Sequence, residues 1–222
     1  MTLASRLGCV WCCLLYFLVY GANAATASFE IQRGKYDTFQ NVQCQTSQSC
    51  AKHHCKIYSA ECVDNKCERC RCKEDGENTF VMSGSNTGNC TKDEDIIPES
   101  GCYRFQNGKF LLYLDNENCH ENICSHQFSV PNFSGNKNCS IKWADSEILD
   151  SSDATWQNIS HDKQLFSIER KLNDTKVLLV DREALEIFNG SLLRLSISCK
   201  VKNYAKNQCL LLKFKSLQRN TR

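Results

Sequence analysis

"LEIFNGSLLRLSISCKVK", residues 185–202, carries the strongest structural signal in the chain. After the Asn189-Gly190 dipeptide, Leu193, Leu195, Ile197, Cys199 and Val201 alternate with Arg194, Ser196, Ser198, Lys200 and Lys202. A period of two is the mark of a strand with one apolar face. Asn-Gly favours the positive φ angles of a type I′ turn, so the stretch predicts a β-hairpin. "CYRFQNGKFLLYL" (102–114) repeats the device around Asn107-Gly108. Further strands are expected at "HQFSV" (126–130), "CSIKW" (139–143), "QLFSIER" (164–170), "TKVLLV" (175–180) and "CLLLKF" (209–214). The least strand-like part is 144–156, read as a helical turn or long loop. Many short strands separated by turn residues predict an antiparallel β-sandwich-like domain over 102–217, followed by a basic tail at 218–222.

The chain opens with Arg6, an apolar run from Gly8 to Tyr20, and Ala22-Asn23-Ala24. That is the layout of a secretory signal peptide over 1–24, cleaved after Ala24. The run is too short for a bilayer-spanning helix, and the basic end "KFKSLQRNTR" lacks the apolar tail of a lipid-anchor signal. A secreted protein with no transmembrane segment is therefore expected. Of 17 cysteines, Cys9, Cys12 and Cys13 leave with the signal, and an even set remains. An oxidising export route and an even count favour disulfides. Asn-x-Ser/Thr sequons stand at Asn89, Asn132, Asn138, Asn158, Asn173 and Asn189, the acceptors of N-glycosylation. Several fall where turns are predicted.

After a lead-in at 25–43, the chain changes character. Residues 44–90 hold Cys44, Cys50, Cys55, Cys62, Cys67, Cys70, Cys72 and Cys90, with almost no apolar run. Burial alone cannot hold such a stretch, so crosslinks must make up the difference. Six cysteines (Cys102, Cys119, Cys124, Cys139, Cys199, Cys209) lie beyond an acidic linker at 91–101. Each region can close its own bridges, but eight cysteines allow 105 pairings and six allow 15. Cys67-x2-Cys70-x-Cys72, near His53-His54-Cys55, has the look of a zinc clip, yet export oxidises thiols before such a site fills.

The run 44–80, with close cysteines, the Cys70-x-Cys72 step, then Gly76 and Phe80, resembles the epidermal-growth-factor-like family and related EB-type extracellular modules. It departs from them in an extra cysteine pair and a long gap from Cys72 to Cys90. "QNVQC" supplies Asn41 and Gln43 but no acid before the first cysteine, so calcium is not expected. The overall layout resembles secreted matrix glycoproteins, including organic-matrix proteins of skeletons.

No metal site, cofactor or catalytic motif is expected. The reading is a non-enzymatic secreted glycoprotein binding an extracellular protein or an acidic, sulfated glycan in the matrix or at a cell surface. Nucleic acid is not expected as a partner. The alternatives are a toxin-like or inhibitor-like ligand, and a secreted hydrolase using His120 or His126. Charge supplies the candidate surface. Residues 92–186 carry 17 acids and 10 bases, whereas residues 187–222 carry no acid and eight bases. If the last strands pair, Arg194, Lys200, Lys202, Lys206, Lys213, Lys215 and Arg219 form a basic stripe suited to polyanions. The competing role is an ordinary lysine-rich sheet edge that resists aggregation.

Overall fold

The computed structural model describes residues 30–41, 44, 49–50, 54–73, 78–84, 87–96, 102–103, 105, 109–128, 138–149, 155–159, 164–170, 175–201 and 204–216. The signal-peptide and basic-tail expectations lie outside them. Among the described residues the fold is mainly β, with several antiparallel sheets and one short helix.

The first half forms a small disulfide-rich module. Strands β1 (Ile31–Gln32), β2 (Thr38–Gln40), β3 (Ala60–Val63) and β4 (Lys66–Cys72) make a sheet in the order β1-β2-β4-β3. The lead-in is thus part of the module: Phe39 lies opposite Cys70 and is buried. Strands β5 (Thr79–Gly84) and β6 (Thr87–Thr91) form a separate hairpin, which occupies the long gap before Cys90. Phe39 stacks on Phe80 with centroids 4.0 Å apart, and Tyr58 meets Phe39 edge-on at 5.4 Å. Around these rings run Cys44–Cys67, Cys50–Cys62, Cys55–Cys70 and Cys72–Cys90.

The second half is a sandwich. One sheet runs in the order β12 (Trp156–Asn158), β11 (Glu147–Leu149), β15 (Leu192–Val201), β16 (Tyr204–Phe214), β7 (Leu111–Leu114); β10 (Cys139–Ile141) also pairs with β15. The other runs β13 (Phe166–Arg170), β14 (Lys176–Asp181), β9 (Ile123–Phe128), β8 (Cys119–His120). Leu193, Leu195, Ile197, Leu210, Leu212 and Phe214 from the first sheet meet Cys124, Phe128, Phe166, Leu178 and Val180 from the second. Cys102–Cys209, Cys119–Cys124 and Cys139–Cys199 complete seven disulfides, none of which joins the two halves.

Several local expectations change. Residues 182–187 form a helix, α1 (Arg182–Ile187), where a hairpin arm was expected. The Asp181 carboxylate accepts from the Glu183 N–H at 2.9 Å, and Ala184, Leu185 and Phe188 bury one helical face. An N-cap with an apolar 1-2-5 pattern favours helix over strand. Gly190 still takes the positive φ, +69°, that turns the chain into β15. The second arm keeps its alternation, but Ser196 and Ser198 are buried, because β15 is a central strand covered on both faces. At 102–114, β7 pairs in parallel with β16, and Cys102, bonded to Cys209, holds this stretch beside that strand. The Asn107-Gly108 turn lies outside the described residues. Within 144–156, the expected helical turn is present as a 3-10 turn at Trp143–Asp145, but Glu147–Leu149 is strand, since Ile148 and Leu149 extend the sheet beside Leu193 and Leu192.

A second apolar cluster, Leu111, Leu149, Leu192, Leu211, Cys102 and Cys209, covers the outer face of the larger sheet; Val81 and Ile96 of the first half pack on it. The two halves are therefore docked.

Candidate functional site

The docking is organised by one buried carboxylate. Asp37 and Lys213 are each about fully buried, with Lys213 Nζ 2.8 Å from Asp37 Oδ1 and Arg33 Nη1 2.5 Å from Oδ2. The backbone N–H groups of Gly34 and Phe80 also donate to Asp37, at 3.1 and 2.9 Å. Arg33 additionally donates to the Phe80 carbonyl. Lys213 Nζ goes on to the Asn78 carbonyl at 3.0 Å and Thr79 Oγ1 at 3.1 Å. Nearby, the Arg33 N–H donates to Ser216 Oγ at 2.7 Å and the Ser216 N–H to the Arg33 carbonyl at 2.9 Å. A buried charge is tolerated only when paired and hydrogen-bonded. Asp37 is held that way only when the last strand of the sandwich is in place.

This junction opens into a cleft of about 520 Å³. Lys35 and Asn78 line it from the small module, and Lys109, Leu111, Leu112, Tyr113, Glu117, His120, Ser125 and His126 from the sandwich. Its position follows from topology: β7 ends one sheet, β8 ends the other, and the cleft lies where those edges meet the small module. Between β7 and β8 the chain makes a 3-10 turn at Asn116–Asn118, capped by Asp115, whose Oδ1 accepts from the Glu117 N–H at 3.1 Å. Cys119–Cys124 then closes the hairpin that carries His120.

Two groups feel this setting. Tyr113 stands opposite Lys213 in the register; burial, helped by the Asp115, Asp37 and Glu117 carboxylates, pushes its hydroxyl up to about 12. His126 lies between Cys124 and Phe128 on β9 and shares their core-facing side. Its Nε2 is buried without a hydrogen-bond partner. Burial lowers its pKa from the ordinary 6.5, outweighing the opposing pull of Asp115.

The basic stripe is redistributed. Lys213 is buried in the junction, because the carboxylate it neutralises is buried there. Arg194 pairs with Glu147, its guanidinium 4.8 Å over the Trp156 ring. Lys200 and Lys215 are exposed but far apart. Leu192 pairs with Lys213 and Lys200 with Ala205, which separates the two lysines by about 30 Å along the hairpin. Lys206 stands opposite Cys199 in the register. Lys202 and Arg219 lie outside the described residues. Among the sequons, Asn89, Asn138, Asn158 and Asn189 are exposed, while Asn132 and Asn173 lie outside the described residues. Of the histidines, His54 is half-buried in the small module, and His53 and His161 lie outside the described residues.

Sequence reasoning singled out His120 and His126 but missed Lys35, Asn78, Lys109, Tyr113 and Glu117. Each is an ordinary polar residue with no motif around it, four in irregular chain or a 3-10 turn and Tyr113 on β7, and only docking of the halves brings them together. Among the described residues no cluster of His, Cys, Asp and Glu could hold a metal, and no helix is long and apolar enough to cross a membrane. No protein family, curated protein or solved structure matches the chain.

Proposed function

We propose that this is a secreted, non-enzymatic glycoprotein of the extracellular matrix or cell surface, whose binding site is the cleft between its two halves. The observation that carries this reading is the construction of the cleft. Its walls come from both halves, and a buried ion network fixes those halves before any ligand arrives. A pre-formed concave site spends little of its binding energy on ordering itself. Seven disulfides among the described residues, exposed sequons and the signal-like layout of residues 1–24 support export.

The test uses the full chain secreted from animal cells and screened on arrays of extracellular proteins and glycans. Tyr113→Ala, which strips the most bulk from the cleft wall, is expected to lose the captured ligand, and Asn158→Gln, at a sequon, to keep it. Capture unchanged by Tyr113→Ala would place the binding surface elsewhere. The hydrolase reading draws on the unpartnered Nε2 of His126 in a polar cleft. Turnover of a captured ligand that is abolished by His126→Gln would select it.

A further inference from the structure

The ligand class can be narrowed, resting on the cleft being the binding site. The cleft presents both donors and acceptors: Asn78, Ser125, Tyr113, His120 and Glu117 around a half-buried aromatic ring. Such a lining suits a ligand that donates and accepts at many points, and suits a purely apolar one badly. The face of a sugar ring presents C–H groups that pack on the electron-rich face of a tyrosine, while its hydroxyls reach the polar walls.

The charges add a direction. Lys35 and Lys109, one from each half, give the cleft two cations, and Glu117 is the one acid in its lining. The adjoining Arg33–Asp37–Lys213 group contains two cations and one carboxylate, so it adds one net positive charge behind Asn78. Asp115, nearby, offsets one of these charges, so the four cations and three carboxylates together stay one positive charge in excess. We infer that the cleft binds an acidic saccharide segment, with its carboxylate or sulfate between Lys35 and Lys109 and its hydroxyls toward Asn78, Tyr113 and Ser125. The polyanion preference read from the C-terminal lysines thus belongs to a different surface.

Isothermal titration of the full glycosylated chain with three tetrasaccharides tests this: one sulfated, one carrying only uronate carboxylates, and one neutral. An acidic tetrasaccharide is expected to bind at least tenfold more tightly than the neutral one, and less tightly as salt rises. Lys35→Ala and Lys109→Ala should each weaken it by about tenfold, the scale of a charge-assisted hydrogen bond, with a melting curve of each variant showing that it is folded at the titration temperature. Lys200→Ala with Lys215→Ala should leave it unchanged. The sulfated and uronate arms show which acid group is read. Equal affinity for the neutral sugar, or loss only in the Lys200 and Lys215 variant, would overturn the assignment. If no saccharide binds while Tyr113→Ala still abolishes capture of a protein from the array, the saccharide assignment fails and the cleft remains the binding site.

Discussion

Among the described residues of the small module, four disulfides surround a core of nine buried residues, four of them cysteines. Among those of the sandwich, three disulfides accompany a core of twenty, with only two cysteines in it. The bridges are also placed differently. In the sandwich each joins register neighbours on adjacent segments, Cys119 to Cys124, Cys139 to Cys199 and Cys102 to Cys209. They lock pairings that the backbone ladder and apolar burial already favour. In the small module, Cys44, Cys50 and Cys55 precede the β3–β4 hairpin and are bonded to Cys67, Cys62 and Cys70 on it. There the sulfurs attach chain that little apolar surface would otherwise hold. Crosslinks replace burial in one half and refine it in the other.

That contrast can be broken by removing one bridge from each half. Cys55→Ser with Cys70→Ser opens a 15-residue loop, worth roughly 3 kcal/mol, nearly all that a core so small supplies. The module is expected to melt, with amide-exchange protection lost across β3 and β4. Cys139→Ser with Cys199→Ser should lower the melting temperature of the sandwich yet leave β14, β15 and β16 protected. A module that keeps its protection without Cys55–Cys70 would refute the division of labour.

An effect at least as large in free energy, but confined to the docking of the two halves, is expected at the junction. Asp37→Asn leaves Arg33 and Lys213 buried without their counter-charge, a loss of about 3–5 kcal/mol. It should detach the module, read as new exchange at Asn78–Thr79 and Leu111–Leu114. Lys213→Met should cost less, because Asp37 keeps Arg33 and two backbone N–H donors. Adding Lys213→Met to Asp37→Asn should recover part of the loss, and a double variant no better than Asp37→Asn would refute the pairing.

Packing is tested at Gly88. A Cβ there would lie 2.6 Å from Phe80 Cζ and 2.9 Å from the Val81 carbonyl oxygen, so Gly88→Ala should destabilise the module by about 1–3 kcal/mol. Urea melts following amide exchange in the module and the fluorescence of Trp143 and Trp156 in the sandwich would show whether the loss stays local. The smallest effect is with pH. His126 has a folded pKa below 6.5, so the unfolded chain binds the proton first. Stability is full above about 6.5 and falls as pH drops from there toward the folded value. His126→Gln should flatten that part of the profile, and a parallel decline in the variant would remove His126 as its source.

Legibility differed by scale. The strands at 164–170, 175–180, 192–201 and 209–214 announce themselves in the sequence, because β-branched and aliphatic residues recur there between turn residues. The helix at 182–187 is harder to see: its apolar residues, Leu185, Ile187 and Phe188, fit a short strand as readily until the Asp181 cap is recognised. The parallel pairing of β7 left no local trace, since parallel partners meet through chain a hundred residues away. Lys213 looked like a surface cation because nothing near it in sequence foretells Asp37.

The sequence by itself determined a mainly β, cysteine-rich chain with a core-poor first half and six Asn-x-Ser/Thr tripeptides. These follow from composition and short-range periodicity, which act over a few residues. Which cysteine meets which, which lysine is buried, and the cleft that joins Lys35 to Lys109 were decided only by tertiary structure. They depend on the docking of two sheet surfaces, and the charge that makes docking specific, Asp37, finds its second cation 176 residues further along the chain.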